Sequence, residues 1–213
     1  MIVPLEIKSQ KETDFCGSCV ISSIAEEIIK EPCEESYLAA AAKKISGEPL
    51  KIRGISPGNL ITAVIRYGVL SKKHAPFSTT THERDFLVDW NNWKDLERYA
   101  IKPYRSAVRV RGFDEAIRQM QKHNTSLMCG IYWQAHWTTP DIETLGEFNK
   151  LSPHEVRILG AEDDKLILQN SRGIEKGEGG IFRLGRNAFP AVHHMYRLSQ
   201  EDAGWFTNLI NKI

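Results

Sequence analysis

The chain has 213 residues, long enough for one large domain or two small lobes with a substantial core. It is 41% apolar and 26% charged, which excludes a disordered or low-complexity chain. With 28 basic and 27 acidic residues the net charge is +1, so no broad field of either sign points to nucleic acid or an anionic membrane as a partner.

The predicted elements begin with a helix over 19–30. Ile21, Ile24, Ala25 and Ile28 recur at helical spacing, and Ser18 stands where an N-cap belongs. A second, Ala-rich helix is expected over 34–46, stopped by Gly47. A third runs over 57–67, with Pro57 in its first turn and Gly68 as its stop. A fourth is expected over 83–100, with Phe86, Trp90, Trp93 and Leu96 or Ala100 on one face.

The character then changes. Residues 107–111 alternate like a strand, 113–123 read as a short helix, and 126–133 as a buried strand. Further short strands are expected at 155–160, 164–169 and 180–184, separated by turns rich in Gly, Asp and Glu. From Ser199 a capping pattern, Ser199-x-x-Asp202, precedes a packing helix to Ile213. Helices thus dominate the first half and strands the second, an α+β arrangement of two lobes. The expected organisation is a helical lobe over 10–105, a β lobe over 106–198 and a tail helix over 199–213. A site is expected in the cleft between the lobes.

No apolar stretch is long enough to span a bilayer. Met1 to Lys8 lacks the basic segment and apolar core of a secretory signal. If Met1 is native, a cytoplasmic protein is expected.

Four cysteines, Cys16, Cys19, Cys33 and Cys129, are too few and too scattered for a disulfide scaffold. Cys16 and Cys19 form a Cys-x-x-Cys. A zinc site would need a second ligand pair, which the spacing does not supply, and no metal or other cofactor is expected. A thioredoxin-like redox pair would need a preceding strand, but Lys8 to Phe15 is polar. Two unrelated core cysteines are a third reading. In its favour as a nucleophile, Cys19 lies in the first turn of a helix, where unpaired N–H groups and the dipole favour thiolate. Taken alone, such a cysteine is more commonly a core residue.

A thiolate needs a partner that accepts and returns a proton near neutral pH, and His does both. The chain has seven histidines, His74, His82, His123, His136, His154, His193 and His194, most of which sit in polar or terminal segments and read as surface residues. His154 opens a strand, a turn follows at Glu162-Asp163-Asp164, and the return strand ends at Asn170. Antiparallel pairing sets a strand's start beside its partner's end, so His154 and Asn170 should be neighbours. Asn170 can then accept from the imidazole and fix its tautomer.

These blocks together resemble the papain-like cysteine peptidases. Gln10 precedes Cys16-Gly17-Ser18-Cys19, a His lies far downstream, and Asn170-Ser171-Arg172-Gly173 is followed by Gly177-Glu178-Gly179-Gly180-Ile181-Phe182-Arg183. Gly54-Ile55-Ser56-Pro57, Tyr67-Gly68-Val69 and Ala75-Pro76-Phe77 are similar to the compact bacterial and phage members. The resemblance covers roughly residues 5–195 and implies a two-lobe fold with a barrel-like β lobe.

It also implies Cys19 as nucleophile, His154 as base and Asn170 as the residue that orients it. Gln10 and the Cys19 backbone N–H would donate to the oxyanion. Gly54, Ile55, Ser56, Pro153 and Glu155 would line the substrate site. Glu155 follows the base and is expected either to select Lys or Arg in a polypeptide substrate or to turn outward to a neighbouring basic residue.

Three departures stand out. The step from Gln10 to Cys19 is longer than the family's usual spacing, and Thr13 occupies the usual offset. Val20 and Arg172 replace the tryptophans common after the nucleophile and after Asn-Ser, so a different, wetter shield is expected over the His–Asn hydrogen bond. Cys16 resembles a half-cystine, but Ile52 marks the place where its partner would lie.

The expected activity is amide hydrolysis by a monomer acting on peptide or isopeptide bonds. Any inhibitory or regulatory protein is unspecified. The alternatives are a papain-fold amidase, peptidoglycan hydrolase or amide transferase, and a non-catalytic effector or binding protein.

Overall fold

The computed structural model describes residues 2–5, 7–10, 15–47, 54–74, 95–134, 137–145 and 151–201. They divide between two compact units. One comprises Glu12–Ala107 and Ser199–Ile213, the other Met1–Lys11 and Val108–Leu198.

The first unit is helical. Helix α1 spans Cys16–Ile29, α2 Glu35–Ser46 and α3 Pro57–Arg66. Strand β1 (Cys33–Glu34) pairs antiparallel with β2 (Leu70–Ser71). Ile21, Ile24 and Ala25 of α1 are fully buried, as are Leu38, Ala39, Ala41 and Ala42 of α2 and Ala63 and Val64 of α3. The run of alanines leaves little side-chain bulk between backbones. Gly47 ends α2 in the left-handed conformation, as expected of a glycine at that position. Tyr104 closes over α1 by donating its hydroxyl to the Ile24 carbonyl at 2.9 Å.

One boundary differs from the sequence reading. Helix α1 starts at Cys16 and its N-cap is Phe15, which makes no side-chain capping bond. Ser18 is buried inside the first turn, so it is not the cap. The expected helix over 83–100 lies mostly outside the described residues, of which 95–97 form a helical turn. The expected helix over 199–213 also lies almost wholly outside them.

The second unit is built on a seven-stranded sheet. Its strands are β3 (Ser106–Val110), β4 (Leu127–Gln134), β5 (Asp141–Ile142), β6 (Leu151–Glu162), β7 (Lys165–Gln169), β8 (Ile181–Gly185) and β9 (Val192–Ser199). Their spatial order is β3-β9-β4-β6-β7-β8-β5. The sheet is open, with β3 and β5 at its edges, so the expected barrel-like closure is replaced by an open sheet.

The β6–β7 hairpin turns through Asp163 and Asp164, both with positive φ, the conformation a tight two-residue hairpin needs. Helix α4 (Phe113–His123) buries Phe113, Ala116 and Met120 in a core shared with Leu127, Cys129, Ile131, Val156, Ile158, Leu166, Leu168, Phe182 and Leu184. Alternate residues of β4 and β6 supply that core, which assigns one sheet face to it. Strand β9 has no counterpart in the sequence reading.

Candidate active site

His154 stands near the start of β6 and Asn170 just after the end of β7. The β6–β7 ladder runs from Glu162↔Lys165 to Arg157↔Gln169, and Asn170 is one residue past that last pair. Its backbone N–H donates to the Gly180 carbonyl at 2.9 Å, which fixes the chain where it leaves the strand. Its side chain meets the imidazole, with Nε2 of His154 2.9 Å from Oδ1 of Asn170. An amide oxygen only accepts, so Nε2 carries the proton. In the neutral ring the basic lone pair is then on Nδ1.

The hydrogen bond is dry. His154 and Asn170 are 3% and 1% exposed. Burial is the main cause that pulls the His154 pKa from 6.5 down to about 4. The Asn170 hydrogen bond opposes the shift, and the charge of Arg172 adds to it. The wet site expected from Arg172 is therefore not what forms.

The cover comes from another strand. Ile131 of β4 pairs with His154, so Trp133, two residues on, shares His154's face one step along the sheet. Its ring meets the imidazole edge-on at 5.7 Å between centroids, and it packs in the same edge-on way against Trp137 and Phe182. Sequence reasoning placed Trp133 in a strand but not over the histidine.

Gln10 lies in the same unit. Its backbone N–H donates to the Ser171 carbonyl at 2.7 Å, and Ser9 bridges to Arg172. The Ser171 hydroxyl donates to the Gln10 amide oxygen at 2.6 Å. With Oε1 held this way, the NH2 end of the amide is turned from Ser171. Pro153 is exposed, opposite Tyr132 of β4.

Glu155 is buried on the sheet face opposite His154. His194 Nε2 lies 3.0 and 3.2 Å from its two carboxylate oxygens. The outward turn toward an Arg or Lys is thus excluded, because the carboxylate is turned in to an imidazole on β9.

The helical unit carries Cys19, buried in the first turn of α1, and Cys16, half-buried at its first position; neither is in a disulfide. The Cys19 backbone N–H donates to the Phe15 carbonyl at 2.8 Å. That bond results from the earlier start of α1 and takes up the N–H expected to serve as second oxyanion donor. Gly54, Ile55 and Ser56 lead into α3. Gly54 and Ser56 are exposed, and the Gly54 carbonyl accepts from the buried Lys43 ammonium at 2.5 Å. Cys129 is a core residue whose thiol is held protonated, first by burial and second by the charge of Glu155. No cluster of His, Cys, Asp and Glu suited to a metal ion occurs among the described residues, and none of their helices is long and apolar enough to cross a membrane.

Known structures match this arrangement over nearly the whole chain. Xylellain, a cysteine protease from Xylella fastidiosa, superposes with a TM-score of 0.78 at 15% identity, over 93% of this chain and 84% of that one. The fold is papain-like. The Carica candamarcensis cysteine protease CMS1MS2, solved with E-64, gives 0.70 at 14% identity over 94% of both chains. The bromelain protease from Ananas comosus gives 0.65 at 17%, over 93% of this chain and 94% of that one. No family model matches the chain, and neither does any curated protein sequence. The papain-like fold is thus carried by sequence far from that of its structural neighbours.

Proposed function

We propose that this chain is a cysteine-type peptidase that cleaves amide bonds through an acyl-enzyme. The observation that carries the reading is the dry hydrogen bond from His154 Nε2 to Asn170 Oδ1 on a papain-like fold. It leaves Nδ1 as the ring's basic atom, the state a thiol-activating base needs.

In the proposed sequence, His154 takes the Cys19 proton and the thiolate attacks the substrate carbonyl. The Gln10 amide donates to the oxyanion. The His154 imidazolium returns its proton to the leaving amine. Water, deprotonated by the same ring, then releases the acyl group. Gly54, Ile55, Ser56 and Pro153 remain the proposed substrate contacts, while Glu155, buried against His194 on the face opposite His154, leaves that set.

Profiling the protein against a peptide library beside Cys19→Ala tests the reading, together with labelling by a thiol-directed active-site probe. Library cleavage that vanishes in Cys19→Ala, with labelling confined to Cys19, is expected. Absence of labelling at Cys19 would sink it in favour of a binding protein. Release of peptides from purified cell wall without cleavage of unfolded protein would replace it by the wall-hydrolase alternative.

A further inference from the structure

His154 lies on a weakly tied piece of strand. The β6–β7 ladder ends at Arg157↔Gln169, so His154, Glu155 and Val156 have only β4 as a ladder neighbour. Pro153, just before them, has no N–H to give to that ladder. On one face the segment is held by Asn170 and Trp133, both in contact with the imidazole.

The other face carries a second tie. Gly130 of β4 pairs with Glu155 of β6 on one side and with His194 of β9 on the other. Glu155 and His194 are therefore two strands apart, a gap of roughly 10 Å between backbones. They meet only because the residue between them has no side chain. A Cβ on Gly130 would collide with the Cε1, Nε2 and Nδ1 atoms of the His194 ring. The ring lies across β4 in that vacant place and puts Nε2 on the Glu155 carboxylate.

The ring is aimed by a bulge. Register along β9 shifts at this point, with Gly130 opposite His194 and Ile131 opposite Val192, so His193 is an extra residue. His193 and His194 consequently approach each other, Nδ1 to Nδ1 at 2.9 Å, and Tyr132 packs on the His193 ring. The carboxylate only accepts, so Nε2 of His194 donates to it, and in the neutral ring Nδ1 accepts from His193. Every polar atom of the His194 ring is thereby fixed.

We infer that Glu155 and His194 are positioning residues for His154, a clasp over Gly130 that ties the His154 segment of β6 to β9. This inference rests on the proposed role of His154. It also gives Glu155 a task other than reading a basic substrate side chain.

Three variants test it: Glu155→Ala removes the clasp, Glu155→Gln keeps an acceptor for Nε2–H, and Gly130→Ala displaces the ring while leaving both partners in place. The clasp predicts a fall in kcat of roughly 10- to 100-fold in Glu155→Ala and Gly130→Ala, with KM within about threefold, because a small displacement of a reacting group costs that much. Glu155→Gln should recover most of the loss. Combining Gly130→Ala with Glu155→Ala should cost no more than the worse single change, since both break one contact.

The His154 Nε2–H proton, held to Asn170 in a dry site, gives a readout independent of turnover. Its NMR signal should broaden and exchange faster in Gly130→Ala and stay sharp in Glu155→Gln. If no peptide is cleaved by the wild type but this signal responds as described, the peptidase reading fails and the clasp stands. An unchanged His154 signal in a folded Gly130→Ala overturns the clasp. So does a Glu155→Ala effect confined to KM for substrates with basic side chains.

Discussion

Nε2 of His154 and Oδ1 of Asn170 are 2.9 Å apart although His154 lies on β6 and Asn170 just past the end of β7, both beyond the ladder that joins those strands. The contact is made by side chains alone, so it depends on Asn170 being held by its own backbone bond to Gly180. Asn170→Ala removes the acceptor that fixes the proton on Nε2, and the ring can then carry it on Nδ1, the wrong nitrogen for a base. On the proposed mechanism kcat should fall by roughly 10²-fold with the fold intact. Steady-state kinetics with circular dichroism checks this, and full activity in a folded Asn170→Ala would remove Asn170 from the machinery.

Burial of His154 has a consequence for stability against pH. Its folded pKa of about 4 lies below the unfolded value of 6.5. Between these values the unfolded chain binds the proton and the native chain does not. Stability is thus complete above about pH 6.5 and declines as the pH falls toward 4. The full span is worth on the order of 3 kcal/mol. Urea unfolding at pH 7 and pH 4.5 should show a loss for wild type that is markedly smaller in His154→Gln. Equal losses in both proteins would assign the acid sensitivity to other groups.

Much of this was legible in the sequence because it is local. Periodicity marks α1 to α3, and the acidic turn between two apolar runs marks the β6–β7 hairpin, which brings His154 toward Asn170. What escaped depends on neighbours across the sheet. Strand β9 does not show in the sequence because the extra residue His193 interrupts the alternation by which a strand is recognised. The start of α1 leaves no mark in the sequence because Phe15 caps it without a side-chain bond, and Ser18 has the residue type of a cap without being one. The cover over His154 comes not from the residue after Asn170-Ser171, which is Arg172, but from Trp133 of β4, a neighbour only across the sheet.

Trp133 is therefore a residue on which packing and chemistry converge. It is buried and touches Trp137, Phe182 and His154. Trp133→Ala should destabilise the protein by about 3–5 kcal/mol through the cavity it leaves, and Trp133→Phe by considerably less. Water admitted beside His154 should also raise that residue's pKa toward the ordinary value, since burial is the first cause of its depression. An NMR titration of the ring checks the second effect. A His154 pKa unchanged in a folded Trp133→Ala would show that the dryness comes from other residues.

Gln10 and Ser171 give the last prediction. The Ser171 hydroxyl holds the amide oxygen of Gln10 at 2.6 Å, while the Gln10 backbone is bonded to Ser171 as well. Removing the hydroxyl leaves the backbone bond in place and releases only the side-chain orientation. If the Gln10 amide donates to the oxyanion, Gln10→Ala should lower kcat by roughly 10²–10³-fold, the usual cost of losing one such donor. Ser171→Ala should lower it by less, because the amide then reaches the productive rotamer part of the time. KM should change little in either variant, since the interaction forms only as charge develops on the carbonyl oxygen. The Cys19 N–H is already committed to Phe15, so no second donor from that residue compensates in this structure. Measuring kcat and KM for both variants decides the matter: a Gln10→Ala enzyme with wild-type kcat means that the oxyanion is held by other groups.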